Sequence, residues 1–342
     1  MNKASIVILN WNGIQYIKQF LPIVIENSII PGIEIVLVDN SSTDNSVEYV
    51  RANFPFIRII QLEKNYGFAL GYNKSLEQLD SEYYIILNSD VEVSKTWIDP
   101  ILKYMDTNPD VGACMPKLRW YYDRDSFEYS GAAGGFIDKY GYPFCRGRIF
   151  NTVEKDNGQY DNVKDIFWAT GACFFVRAQT FRKVGGFDAR FFAHMEEIDL
   201  CWRMKLNGNK IVFLPFVTVF HVGGGALPKE NSHKTYLNFR NNLFLLVKNL
   251  PSNRLIKTII LRLLLDYLAA MYYIVNFRLT FFCAIIKAHI NFCINLPYLI
   301  KYRKANSLLI NGKFIFPEVL NKCLVSEYFY KKKKTYSEIV DN

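Results

Sequence analysis

Several features that would place the chain in a familiar class are missing. Its seven cysteines, spread over 342 residues, form no C-x-x-C pair and lie mostly in apolar runs. That excludes a disulfide framework or a cysteine zinc site and predicts reduced, buried thiols in a cytoplasmic protein. No G-x-G-x-x-G follows a strand-like run and no G-x-x-x-x-G-K-[ST] occurs, which argues against a dinucleotide oxidoreductase and a P-loop NTPase. The opening MNKASIVILNWNG lacks the long apolar core and small-residue cleavage site of a signal peptide and reads as a strand. There is no internal repeat, and no low-complexity tract beyond the lysines at 331–334.

What is present is a chain rich enough in apolar residues, at 50%, to build a packed core, and long enough for one large or two modest domains. The net charge of +9 is unevenly placed. Residues 1–236 carry 25 Lys and Arg against 27 Asp and Glu, whereas residues 237–342 carry 16 against 5. The whole positive excess lies in the tail, which predicts an anionic partner there: phospholipid, nucleic acid or a phosphorylated substrate.

Along the first hundred residues, short β-rich apolar runs at 5–10, 33–39, 56–62 and 83–90 alternate with amphipathic stretches at 14–27, 44–53 and 68–80. Such alternation predicts an α/β fold with a mostly parallel central sheet flanked by helices. Ligands of such sheets bind beyond the carboxyl ends of the strands, where Asn10, Asp39 and Asp90 fall. Residues 110–165 read as loops and short strands walling a cleft; 172–177 and 210–225 read as further strands.

The local motifs each admit a structural and a chemical reading. In VDNSSTDNS, 38–46, the small polar residues can cap a helix, while Asp39 can accept hydrogen bonds from a ribose or base edge. In KNYGFALGYNKSL, 64–76, Gly71 stands inside a helix at a cost of about 1 kcal/mol relative to alanine, which predicts a close packing neighbour. Asp90, ending ILNSDVEV, either caps the next turn or holds a hard divalent cation that bridges a diphosphate. His221, in FHVGGGA, is the candidate second ligand, beside glycines whose backbone can approach phosphates. FFAHMEEIDLCWR, 191–203, sets Glu196, Glu197 and Asp199 beside aromatic residues, where an unpaired carboxylate is costly. Asp199 and Arg203, four apart, are expected to pair on the surface of a helix beginning near Ile198.

The tail from 237 to 300 carries long apolar stretches interrupted by Arg262, Asp266, Arg278, Lys287 and His289. Charges near the middle of a span are expensive, so these stretches predict helices lying in a membrane interface rather than an ordinary soluble helical domain.

SIVILNWNG, VDNSSTD, NYGFALGYN, ILNSDVEV, WATGACFFVRAQTFRKVGGFD, FFAHMEEIDLCWRMKLNG and FHVGGG occur in that order between residue 4 and about 245. Together they resemble glycosyltransferase family 2, and within it the bacterial rhamnosyltransferase-like branch. The resemblance implies a GT-A domain over residues 1–236 and a helical, basic, membrane-associating region over 237–342. It implies a nucleotide-diphosphate sugar donor, Mg²⁺ or Mn²⁺, and inversion at the anomeric carbon. Carried over by position, Asn10, Asp39, Asn65, Gly67, Asn73 and Asn88 line the nucleotide-sugar site, and Trp168, Gly171 and Ala172 the sugar and acceptor cleft. Asp90 and His221 are the metal-site residues. Asn88-Ser89-Asp90 keeps one acid of the family's D-x-D pair, which argues against tight metal binding by the free protein. Glu197 stands where the family often has an aspartate, the catalytic base, with Glu196 supporting the loop or the acceptor.

The function expected is transfer of a sugar, from dTDP-rhamnose or a UDP-hexose, to a hydroxyl of a lipid-linked saccharide in cell-surface polysaccharide synthesis, peripherally at the cytoplasmic face of the plasma membrane. The competing readings are a soluble sugar-phosphate nucleotidyltransferase, whose Gly-rich basic loop is missing from LNWNGIQ, and a nucleic-acid-binding module, for which the tail is too apolar.

Overall fold

The computed structural model describes residues 1–223, 231–310 and 316–340. From the amino end, strands and helices alternate: β1 (Asn2–Asn10), α1 (Ile14–Glu26), β2 (Ile33–Asp39), α2 (Ser46–Asn53), β3 (Arg58–Gln61), α3 (Gly67–Leu76) and β4 (Ser81–Asn88). A hairpin-rich stretch follows with β5 (Val91–Val93), α4 (Asp99–Thr107), β6 (Val111–Trp120), β7 (Asp123–Phe127), β8 (Gly135–Asp138), β9 (Pro143–Cys145), β10 (Arg148–Ile149), β11 (Thr152–Val153), β12 (Lys164–Asp165) and β13 (Cys173–Arg177). Then come α5 (Ala178–Lys183), α6 (Glu196–Leu206), β14 (Lys210–His221), α7 (Ser232–Asn249), α8 (Ser252–Val275), α9 (Leu279–Ala305), α10 (Ser307–Ile310), β15 (Val319–Leu320) and α11 (Tyr336–Val340).

The main sheet runs β12-β14-β6-β13-β4-β1-β2-β3, with β5 on β14 and β7 on β6. The β3, β2, β1 and β4 neighbours are parallel, as are β6 and β14, while β13 runs antiparallel between β4 and β6. Helices cover both faces, and so the five residues from Tyr83 to Leu87 of β4 are all buried without alternation. Register aligns the polar strand ends: Asn10 lies opposite Asp39, and Leu9 opposite Asn88. The carboxyl edge of the sheet is therefore a polar rim on an apolar slab.

Residues 123–165 form short strands and loops as expected, β7 to β12, but the stretch before them, from 110, holds a long strand. β6 is a ten-residue strand, buried from Val111 to Leu118, that joins β13 to β14. Burial on both faces erases its period-two signal, and Pro116 disguises it further, since proline is uncommon in central strands. The proline is accommodated where the pairing of β6 with β14 slips, between Leu214 and Thr218. A second sheet, β11-β10-β9-β8-β15, lies beside the first. Buried Asp138 fastens it, accepting hydrogen bonds from the amides of Tyr140, Tyr142 and Leu324 at 2.8–2.9 Å.

The division expected at residue 236 falls inside α7, which is buried along most of its length against the sheet-bearing part. None of the described cysteines is paired; 114, 145, 173 and 201 are buried as expected, but Cys283 and Cys293 are exposed on α9.

Candidate active site

Two loops interlock at the carboxyl ends of β1 and β2. The Asp44 carboxylate accepts from the amide of Ile14 (2.9 Å) at the start of α1 and from that of Ser46 (3.1 Å) at the start of α2. The Asn12 side-chain oxygen accepts from the Thr43 amide at 2.7 Å. Capping thus falls to Asp44, and among the described residues the Asp39 carboxylate receives the Ser42 amide alone, at 3.3 Å from both oxygens. Asn10 donates to the Ser42 hydroxyl (3.3 Å), while its Oδ1 is buried with no hydrogen-bond partner among the described residues. Asn40, absent from the sequence-based site, ties this crevice to α3: it donates to Asn65 Oδ1 (3.0 Å) and to the Gly67 carbonyl (3.1 Å), and accepts from the Tyr66 amide (2.9 Å). The neighbour expected for Gly71 is there. A Cβ on that glycine would lie 3.2 Å from Leu9 and 3.4 Å from Asn40.

Asn73 and Trp168 are engaged in packing. The Asn73 amide is spent on the backbone of Phe187, donating at 2.7 Å and accepting at 3.0 Å. The Trp168 ring is 2% exposed, pressed on Gly135, and donates to the Phe136 carbonyl at 2.9 Å. Trp168 shapes the wall from behind instead of facing a cleft. Its neighbours are closer to the rim: the Ala172 carbonyl accepts from the Asn88 amide (3.0 Å), and Gly171 abuts the Phe68 ring.

Beyond β4, Asp90 meets His221 at the end of β14. Asp90 Oδ1 lies 3.1 Å from His221 Nε2, and Asn88 Nδ2 lies 3.5 Å from the same nitrogen. On the other side of the ring, Nδ1 is 3.2 Å from Oε1 of Glu128, a buried carboxylate that no motif had singled out. Burial alone would strip the imidazole of its proton; Asp90 and then Glu128 reverse this and hold its pKa well above the ordinary value. The same attraction overcomes burial at Asp90 and Glu128, and both stay below the usual carboxylate range. Gly223 hugs Glu128, since a Cβ there would sit 3.0 Å from Oε1. The next two glycines of the FHVGGGA motif lie outside the described residues. A cavity of about 170 Å³ opens beside Glu128, between Trp120, Tyr129, Ser130, Val222 and Lys234.

The acidic cluster at 196–199 sits on a strained turn. Phe192, His194 and Met195 all have positive φ, between 65° and 72°. Such conformations cost on the order of 1–3 kcal/mol each and persist only where surrounding contacts impose them. Asn241 of α7 imposes them here by donating to the carbonyls of Phe191 (3.0 Å), Ala193 (2.9 Å) and His194 (2.7 Å). On the opposite side, the Phe192 carbonyl accepts from the amides of Phe68 (2.8 Å) and Ala69 (3.2 Å), and Gly67, at φ 72°, leaves room for the Phe192 ring.

The helix begins at Glu196, two residues earlier than expected. Glu196 and Glu197 each keep a buried carboxylate oxygen without a hydrogen-bond partner among the described residues. Burial, then the charge of Glu197, pushes Glu196 well above the ordinary range. Burial takes Glu197 to about 7, partly offset by backbone N–H groups of the helix start. Asp199 has another task. It is fully buried rather than on the surface, salt-bridged to Arg203 (2.8 Å) and Lys248 (2.9 Å) and hydrogen-bonded by Asn249 (2.8 Å). The expected i, i+4 pair with Arg203 forms, but inside the protein, because α7 covers this side of α6. Burial raises the Cys145 thiol to about 11, and after the opposing effect of Arg148 both Glu128 and Glu197 add to the rise.

As a cation seat, Asp90 and His221 fit in part. Among the described residues no three His, Cys, Asp or Glu side chains converge to hold an ion by themselves. One carboxylate and one imidazole suit Mn²⁺ or Mg²⁺ only when diphosphate oxygens and waters complete the shell. Glu128 stands 3.2 Å from Nδ1 on the far side of the ring, and His221 could ligate an ion through Nε2 only after giving up its proton and its contact with Asp90.

Residues 5–185 match the glycosyl transferase family 2 profile, more than half of the chain, and the chain belongs to that family. Among named relatives, an N-acetylglucosaminyl-diphospho-decaprenol L-rhamnosyltransferase of Mycobacterium tuberculosis is 28% identical over 207 residues, 55% of this chain and 66% of that protein. The low-salt glycan biosynthesis hexosyltransferase Agl10 of Haloferax volcanii is 26% identical over 255 residues, 70% of this chain and 74% of its own. The rhamnosyltransferase WbbL of Escherichia coli is 25% identical over 158 residues, 46% of this chain and 59% of its own. Among solved structures, GalNAc-T7 with UDP, GalNAc and Mn²⁺ superposes with a TM-score of 0.56 at 15% identity, covering 74% of this chain and 49% of that one. The likeness shows the fold: the main sheet and its flanking helices are those of a GT-A glycosyltransferase.

Proposed function

We propose that the chain is an inverting glycosyltransferase that moves a sugar from a nucleotide-diphosphate donor, dTDP-rhamnose or a UDP-hexose, to a hydroxyl of a lipid-diphosphate-linked saccharide at the cytoplasmic face of the membrane. The observation that carries it is the pair of buried carboxylates on the strained turn, each with an oxygen unpartnered among the described residues and with Glu197 near 7. The acceptor hydroxyl attacks the anomeric carbon from the face opposite the leaving group, and its proton passes to Glu197 as the new C–O bond forms. The bond to the diphosphate breaks, and the nucleoside diphosphate departs with the electron pair. Burial and the charge of Glu197 raise Glu196 as well, so the two carboxyls do not both carry a charge readily, and we assign the proton-accepting role to Glu197 with Glu196 supporting the loop. Asn10, Asp39 and Asn65 hold the nucleoside end in the crevice, and Asp90, His221 and Asn88 the diphosphate end. When bound, Mn²⁺ or Mg²⁺ supplies positive charge to the departing diphosphate.

The family relatives and the tight fit of the acidic turn favour this over a sugar-phosphate nucleotidyltransferase. Purified protein incubated with a panel of nucleotide sugars and a short-chain lipid-diphosphate saccharide should release nucleoside diphosphate with one donor. Release of inorganic pyrophosphate from a nucleoside triphosphate and a sugar phosphate instead would overturn the assignment.

A further inference from the structure

The polarity of α8 is inverted. Its buried stripe is Thr258, Arg262, Asp266 and Ala270, whereas Ile256, Ile260, Leu264, Leu268, Met271 and Val275 point outward, each more than half exposed. The charges on the inner side are paired or stacked: His289 of α9 is 3.1 Å from Asp266, and the Arg262 guanidinium lies 3.5 Å from the centre of the Tyr142 ring. On α9 the buried stripe, Ile285, Ala288, Phe292 and Leu299, faces α7, and Leu279, Ile290 and Ile294 face out. A soluble surface does not present a contiguous apolar field of this kind.

Both helices are long and apolar enough to cross a bilayer, yet α9 is held along its length and α8 at its start. Alongside α7, α9 is fastened to the sheet-bearing part or to α7 at successive points: Arg190 to Asn295 (3.1 Å), Tyr298 to Asp188 (3.1 Å), and Arg303 to the carbonyls of Val247 (3.0 Å) and Leu250 (2.6 Å). Near its start, α8 donates from Arg254 to the Lys139 carbonyl at 3.1 Å. A crossing helix would have to leave these contacts for the roughly 30 Å of the hydrocarbon core. The exposed lysines Lys257, Lys301 and Lys304 gather where α8 begins and α9 ends, and Arg278 stands at the turn between them. Apolar flank and basic ends together match an anionic leaflet.

We propose that α8 and α9 lie in the plane of a lipid leaflet, the outer apolar face among acyl chains and the basic ends at anionic headgroups. This deepens the reading of a membrane-borne acceptor and rests on it, but its test needs no transfer reaction. Full-length protein is floated with vesicles of phosphatidylethanolamine and phosphatidylglycerol, and with phosphatidylcholine alone. The expected results are recovery with the anionic vesicles, at least tenfold weaker binding to phosphatidylcholine, and at least tenfold loss of vesicle binding for L264E/L268E with an unchanged melting temperature.

Spanning is tested separately with Asn276→Cys, at the α8–α9 turn, in a chain whose Cys283, Cys293 and Cys323 are serine. An impermeant maleimide trapped in the vesicle lumen should not label it. Labelling from the lumen, failure to float, or a soluble dimer that L264E/L268E dissociates would each overturn the proposal. Vesicle binding by a protein inactive on every donor would count against the transferase reading and leave this one standing.

Discussion

Replacing Glu197 by glutamine separates chemistry from architecture, because the amide keeps the size of the side chain and removes its proton affinity. General-base catalysis contributes on the order of 10²–10⁴-fold, or about 3–5.5 kcal/mol of barrier at 1.36 kcal/mol per decade. The turn should survive, since its strain is carried by Asn241 and Phe68, which touch backbone and not the carboxyl. Nucleotide affinity, measured by calorimetry, should stay within about twofold, while kcat falls by that 10²–10⁴-fold. With the carboxyl near 7, kcat/KM of the unmodified protein should rise about tenfold between pH 6 and pH 8, as Glu197 loses its proton. Glu196→Gln should cost less than Glu197→Gln, because Glu197 is the group assigned to take the proton. Stability adds a signed check. The folded pKa of Glu197 lies above the unfolded value of about 4.3, so stability is lost as pH rises between them. The Glu197→Gln protein should therefore melt higher than its parent at pH 8, and the gap should close near pH 4. A Gln variant within tenfold of full activity, or one that kept the limb near pH 7, would refute the assignment.

Glu128→Ala should weaken Mn²⁺-dependent donor binding about 10–100-fold, as loss of an outer-shell partner does, and leave metal-free nucleotide binding unchanged; titration calorimetry with and without Mn²⁺ checks both. Asp199→Ala leaves Arg203 and Lys248 buried beside an empty position and should cost about 3–5 kcal/mol in chemical denaturation. Its folded pKa is depressed, so that contribution is present above the unfolded value near 3.9 and fades as pH falls through the lower folded one. Gly67→Ala would bring a Cβ within 2.6 Å of the Phe192 ring at φ 72°; it should cost about 1–3 kcal/mol in thermal unfolding and lower kcat more than nucleotide affinity.

The alternation of apolar runs and amphipathic stretches made the first half of the sheet legible, and the strand-end position of Asn10, Asp39 and Asp90 followed from it. β6 stayed hidden because two-sided burial and Pro116 erase the period on which strands are recognised. Glu128 was invisible for a different reason. In DSFEYSGAAGG it has no periodic neighbours, and only the fold brings it to a histidine 93 residues away. Asp199 read as a surface residue because spacing within α6 says nothing of what α7 lays over it. The roles of Asn73 and Trp168 could not be told from motif position, since the same asparagine or tryptophan serves equally well as a wall or as a clamp. What local sequence encodes is element and edge; partners across the fold it does not.

The Asn241 staple bears on how this protein is handled. Cutting the chain at the expected boundary, to be rid of its greasy carboxyl-terminal half, would also discard Arg240, Asn241, Lys248 and Asn249, the residues that grip the 191–199 segment. A trimmed enzyme that proved dead would then report a collapsed loop, not a need for lipid, and even a cut after Asn249 would remove β15 and the Leu324 amide that fasten the second sheet.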